Sequence, residues 1–232
     1  LYVCDLESQR IVILDRRSGS LLGEFGTAGS GDGEFRVPIG VDTDRDGYVY
    51  VSDMMGCRVQ KFTPDGSFLA GFGELGDYAG AFARPKQLAV DDDGIIYVVD
   101  AAFQNVQMFN DEFELLMSFG AAGNFPGALN LPVGISVTDT NIELYSDLFH
   151  PGFEPHRVIA VTNQFGPQKV SVYALGRRKD GWTVAQLHQS SGAKAGVGAN
   201  EDLSKLQSLG EGQAAPGGPP PPPLTEEGGG VD

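Results

Sequence analysis

The sequence predicts an all-β chain, a β-propeller built of four-stranded blades, and three observations carry that expectation. Pro38, Pro85 and Pro132 are spaced 47 residues apart. Tyr2, Tyr50 and Tyr97 each stand three residues before an acid, at Asp5, Asp53 and Asp100. Phe25-Gly26, Phe72-Gly73 and Phe119-Gly120 keep the same 47-residue step. A fixed period of this size marks a solenoid, a propeller or an array. The composition agrees, since 33 glycines and 14 prolines in 232 residues suit many short strands joined by tight turns.

The most complete unit runs from Pro38 to Pro85. Gly40-Val41 opens a short first strand that ends near Asp42. The turn Asp44-Arg45-Asp46-Gly47 follows, its glycine supplying the positive φ of a tight hairpin. Tyr48 to Asp53 is a second strand, and Met54-Met55-Gly56 a connection. Arg58 to Phe62 alternates polar and apolar, as a half-buried third strand does. Pro64-Asp65-Gly66 is another turn, Ser67 to Phe72 a fourth strand, and a Gly-rich crossing leads to Pro85. Four antiparallel strands and a crossing in about 47 residues describe one propeller blade.

The rest of the chain copies this unit. Blades are expected at 1–38 (partial), 39–86, 87–132 and 133–187. In the first, Tyr2–Asp5, Arg10–Leu14 and Ser20–Phe25 match the second, third and fourth strands, and an innermost strand is missing. The third is a full copy, with LAVDDDG, IIYVVD, Asn105–Phe109 and Leu115–Gly120. The last departs from the pattern. Gly134–Val137 is its first strand, an insertion occupies Tyr145–His156, and Arg157–Thr162, Lys169–Tyr173 and Trp182–Leu187 complete it. Asn163 takes the place of the repeated acid. Nothing after Leu187 is suited to replace the strand missing ahead of Leu1, so the chain reads as the C-terminal part of a longer propeller. From 188 to 232 the sequence is Gly- and Pro-rich, with Pro219–Pro223 consecutive. It lacks the apolar surface to offset its ordering entropy and is expected to be a disordered acidic tail.

The net charge of −15 argues against nucleic acid, whose phosphates demand a basic face. Residues 1–187 carry −11 of it, which points to a basic protein partner or basic patch. No run approaches the roughly 18 apolar residues of a membrane span. The two cysteines, Cys4 and Cys57, form no CxxC; they are either a disulfide or two buried thiols.

Three groups of residues invite a functional reading. Asp42, Asp44, Asp46 and Asp53, with Gly47 between, fit the spacing of a calcium loop, which makes calcium a candidate ligand. Asp91-Asp92-Asp93-Gly94 occupies the same place in the next blade as a plain hairpin turn, so the turn reading is preferred. Asp5, Asp53 and Asp100 recur once per blade, with Arg10, Arg58 and Asn105 five residues later. They read as structural caps of the connection between second and third strands. The insertion supplies Phe149, His150, Phe153 and His156 either as an exposed contact loop for a partner or as a loop merely packed on its blade. It has too few ligands to hold a metal or haem. There is no nucleophile elbow and no Ser/His/Asp set, and the acids of the first strands fall at strand ends, away from a channel wall. No catalytic residue is assigned.

The stretch PIGVDTDRDGYVYVSDMMGCRVQKFTPDGSFLAGFG resembles the NHL repeat closely. The resemblance is close over residues 1–135, looser over 136–187 and absent from the tail. It implies a six-bladed propeller that serves as a binding platform, enzymes being the minority. The ending VIAVTNQFGPQKVSVYALG is similar to bacterial extracytoplasmic NHL proteins, some encoded with multihaem cytochromes. That implies a periplasmic or secreted protein and admits a cytochrome as partner in an electron-transfer complex. The expected function is a non-catalytic interaction scaffold. The rival is a metal-dependent hydrolase or lyase resembling the gluconolactonase-like or peptide-amidating lyase propellers.

Overall fold

A computed structural model describes residues 1–181, all within one compact unit. The expected fourth strand of the last blade, Trp182–Leu187, and the expected disordered tail lie outside the described residues.

Four antiparallel sheets follow one another along the chain. The first holds β1 (Tyr2–Asp5), β2 (Arg10–Leu14) and β3 (Leu21–Phe25). Two short strands, β4 (Thr27–Ala28) and β5 (Glu34–Phe35), pair in parallel within the crossing that follows. The second sheet is β6 (Pro38–Thr43), β7 (Val49–Asp53), β8 (Arg58–Phe62) and β9 (Phe68–Phe72). The third is β10 (Pro85–Val90), β11 (Ile96–Asp100), β12 (Asn105–Phe109) and β13 (Leu115–Phe119). The last is β14 (Pro132–Thr138), β15 (Phe153–Asn163) and β16 (Val170–Arg178). Within these four sheets every pair is antiparallel and sequential, so each of the four is a meander.

The sheets pack face to face, and this explains why the second strands β7 and β11 are buried throughout rather than on alternate residues. All five residues of β7 and of β11 are buried. Successive side chains point to opposite faces, so Val49 and Val51 join Ile11, Phe25, Phe35 and Phe62 in the seam between the first two blades. Tyr50, from the other face of β7, joins Phe82, Leu88, Ile96, Val98 and Phe109 in the next seam. Tyr97 and Val99 repeat the pattern against Ile159 and Val161. Both cysteines are free thiols, with Cys57 buried in the middle seam. Burial pushes the Cys4 thiol up to about 11.

The repeated Phe-Gly has a physical origin. Gly26, Gly73 and Gly120 sit at φ of 88°, 90° and 91°, where the chain leaves the fourth strand. The next crossing presses Phe35, Phe82 or Leu129 onto each, within 2.3, 2.5 and 2.4 Å of where a Cβ would stand. Only glycine meets both demands.

The last blade differs from its expected form. β15 begins at Phe153, not Arg157, and β16 runs on to Arg178, pairing Phe153 with Arg178 and Glu154 with Arg177. His156 is the extra residue of a bulge that follows Pro155. The bulge is what admits a proline into this strand. Opposite it, a Cβ on Gly176 would meet the Glu154 carbonyl at 2.1 Å. The insertion is thus residues 139–152, of which Ile142–Leu148 form a 3₁₀ helix.

Candidate functional site

The repeated acids are structural, and in more depth than their spacing indicated. Asp53 is fully buried. Its carboxylate accepts from the backbone N–H of Val37 at 2.8 Å, Arg36 at 3.1 Å and Gly56 at 3.2 Å. Arg36 and Val37 belong to the crossing from the preceding blade, so the carboxylate joins two blades as well as capping its own connection. Asp100 does the same with Ala83, Arg84, Ala102 and Phe103. Asp5 accepts from Ser8 and pairs with Arg10 at 3.1 Å. These hydrogen bonds, Ser8 first, hold the Asp5 carboxyl below its ordinary value. Arg58 lies 3.7 Å from Asp53 and donates to the carbonyls of Ser30, Gly31 and Glu34. Gln60 and Gln107, which sequence reading passed over, clip the same crossings to the Gly33/Glu34 and Gly80/Ala81 backbones.

Asp44 and Asp91 organise the first hairpin of their blades. Asp44 accepts from the N–H of Asp46 and Tyr48 and from the Tyr50 hydroxyl. Asp91 accepts equivalently from Asp93, Ile95 and Tyr97. The four candidate calcium ligands are not brought together. Asp42 stands opposite Tyr50, and Asp53 opposite Pro38, three residues further along β7 and so about 10 Å away. Among the described residues no three Asp, Glu, His or Cys side chains are grouped as a metal would require.

Asp42 corrects another expectation. It lies along the axial wall, not merely at a strand end. Together with Gln87, Leu88, Ala89 and Val90 of β10 and Ile135, Ser136 and Val137 of β14, it lines a cavity of about 350 Å³. Its carboxylate accepts from Val90 N–H of the neighbouring first strand at 2.9 Å, and Gln87 donates back to the Val41 carbonyl at 3.3 Å. Burial pushes the Asp42 carboxyl up, against the pull of the Val90 and Thr43 hydrogen bonds.

The insertion presents different side chains from those expected. Phe149 and Phe153 are half-buried against each other, with ring centroids 6.3 Å apart. His150 accepts from Gly152 N–H through Nδ1, and His156 is exposed. The apolar groups turned outward are Leu144, 78% exposed, and Leu148, 54%. Arg157 anchors the base of the insertion to the preceding blade, bridging Asp91 at 3.3 Å, Asp139 at 3.8 Å and Asp93.

The alternating strand direction sorts the loops onto two ends. The turn end carries residues 15–20, 44–48, 63–67, 91–95, 110–114 and the insertion 139–152. These loops hold thirteen carboxylates against three arginines. The crossing end carries residues 6–9, 26–37, 54–57, 73–84, 101–104, 120–131 and 164–169, with five carboxylates against three cations. The acidity foreseen for the whole propeller is therefore concentrated at one end.

Four sheets in series, their first strands β6, β10 and β14 side by side along a common wall, define a stretch of β-propeller. Scans of protein-family models and of curated proteins find no match. Among solved structures, the chain is similar to a streptogramin B lyase, with 16% identity, a TM-score of 0.46, and 74% of this chain and 50% of that one covered. It is similar to a catalytically inactive virginiamycin B lyase from Staphylococcus aureus with quinupristin (16% identity, TM-score 0.45, 75% and 51% covered). It is also similar to the hydrazine synthase of Kuenenia stuttgartiensis (12% identity, TM-score 0.48, 75% and 42% covered). The chain spans about half the length of the lyase structures it matches. Among the described residues no helix is long and apolar enough to cross a membrane.

Proposed function

We propose that this chain is an NHL-type propeller acting outside the cytoplasm as a non-catalytic interaction scaffold, with its turn end docking a basic protein partner. The observation that carries this reading is the division of charge, thirteen carboxylates against three arginines at the turn end. Such a surface steers a basic partner by long-range attraction that salt screens. Leu144 and Leu148 add apolar contact area within that field. The family resemblance admits a cytochrome as the partner, and the charge of the turn end selects a basic one.

The test is a titration of the full chain with a lysine-rich monohaem cytochrome and with a neutral protein of equal size. Binding of the basic protein should weaken steeply between about 50 and about 300 mM salt. The exposed replacements Asp92→Lys, Asp111→Lys and Glu112→Lys should abolish it, and Leu144→Ser with Leu148→Ser should weaken it. Equal, salt-indifferent binding of both proteins would sink the proposal.

Asp42 on the axial wall is the observation favouring the rival, a metal-dependent propeller lyase or hydrolase. Elemental analysis of the purified protein separates the two. Stoichiometric calcium or zinc that is lost on Asp42→Ala favours the enzyme.

A further inference from the structure

The first strands of neighbouring blades are stitched together along the axial wall in one gap and not in the next. Between the second and third blades two side chains do the stitching. The Asp42 carboxylate accepts from the Val90 N–H at 2.9 Å, and the Gln87 carboxamide donates to the Val41 carbonyl at 3.3 Å. The 47-residue step puts Ala89 where Asp42 stands and Gly134 where Gln87 stands. Neither has a side chain long enough to cross. The backbone groups they would serve are nevertheless aimed the same way. Val137 stands opposite Ile159 as Val90 stands opposite Ile96, and Leu88 opposite Val98 as Val41 opposite Val51. Residues at alternate positions of an antiparallel ladder direct both N–H and C=O away from their partner strand. The Val137 N–H and the Leu88 carbonyl therefore face the gap between the third and fourth blades, and among the described residues no side chain meets either. The cavity of about 350 Å³ lies in this gap, with Leu88, Ala89 and Val90 on one side and Ile135, Ser136 and Val137 on the other. Its volume is that of a small-ligand site. A smaller cavity of about 120 Å³ adjoins it, sharing Val90 and Val137, and there Asp91, Asp92 and Asp139 outnumber Arg157.

We infer that this gap is a binding site for a small uncharged amide, such as a short peptide segment. The neighbouring gap shows the chemistry it takes. There a side-chain oxygen and a side-chain amide nitrogen already serve the equivalent donor and acceptor. A short amide ligand carries both kinds of atom, a carbonyl to accept from the Val137 N–H and an N–H to donate to the Leu88 carbonyl. A carboxylate supplies acceptors alone. It would also enter beside Asp42 and the carboxylates of the adjoining cavity, which repel it. Water can meet each backbone group singly, and a ligand displaces it without loss only by reproducing those hydrogen bonds, which an amide does. The site requires neither a partner at the turn end nor a metal at Asp42, so the inference is independent of both readings proposed above.

Residue-resolved NMR of the full chain, with a chelator present, tests it. In the free protein the Val137 amide should exchange at least about tenfold faster than that of Val90, which a charged acceptor holds. Titration with N-acetylglycinamide to about 50 mM, a range suited to so small a ligand, should shift the Val137 resonance along a saturating curve and slow its exchange. N-acetylglycinate, the same molecule with a carboxylate in place of the terminal amide, should bind at least about fivefold more weakly, the effect of one like charge nearby in water. Ala89→Asp gives this gap the carboxylate that the second blade has. It should abolish the response to the amide and slow Val137 exchange in the free variant, whose amide spectrum reports that it is folded. A Val137 amide as slow as that of Val90, a Val137 resonance unmoved by the amide, equal binding of the acid, or an undiminished response in folded Ala89→Asp would each overturn the inference.

Discussion

Replacing Asp53 with Ala should be among the most damaging single changes in the propeller. The carboxylate is fully buried and accepts three backbone N–H groups at 2.8–3.2 Å, with Arg58 at 3.7 Å. A hydrogen bond to a charged group contributes about 1.5–3 kcal/mol, and a donor left without a partner costs about 1–3 kcal/mol. Some of the freed amides will reach water, so the sum is not realised in full. An expected loss of about 3–5 kcal/mol follows, the range found when one partner of a buried charged pair is removed. That is a large share of the roughly 5–15 kcal/mol that holds a domain together. Urea unfolding followed by circular dichroism measures it as a fall in midpoint at constant slope. Asp100→Ala is the informative companion. Asp100 accepts four backbone amides, but Asn105 stands where Arg58 stands in the second blade. A comparable loss there shows that the amides, not the ion pair, carry the effect. A loss below about 1 kcal/mol in both variants, less than one ordinary charged hydrogen bond, would refute the reasoning.

Two further predictions concern the backbone and the axial wall. Gly73→Ala should destabilise by about 1–3 kcal/mol through its φ of 90°, with the Phe82 ring adding overpacking, and the same urea assay should register it. Asp42→Asn should stabilise the protein near neutral pH and not in acid. The folded carboxyl titrates above its unfolded value of 3.8, so folding penalises the ionised form. That penalty is absent well below the unfolded value and complete once pH exceeds the folded one. Thermal midpoints of both proteins at about pH 3 and about pH 7 check the sign, and a larger gain in acid would contradict it.

In the described blades, strand order and turns were legible because a propeller repeats its local rules. Each blade restates an apolar second strand, an Asx-Gly hairpin and a Phe-Gly exit, so one well-read unit supports its neighbours. The interblade contacts were less legible, because they join residues that spacing alone cannot pair. Nothing in the sequence announces that Asp53 reaches back to Arg36 and Val37, or that Gln60 clips the crossing at Gly33. The 47-residue recurrence of Gln60 and Gln107 was the available signal. The bounds of β15 were misread because Pro155 argues against a strand, and a bulge removes that objection only in three dimensions.

Asn163 shows why the one exception to the repeated acid still obeys the same physics. Where Asp53 and Asp100 face only donors, the fourth position faces a mixture. Its Oδ1 accepts from Asn130 N–H at 2.9 Å, and its Nδ2 donates to the Gln168 carbonyl and the Ser171 hydroxyl, both at 3.1 Å. A carboxylate there would set its second oxygen against the Gln168 carbonyl, which an amide instead satisfies.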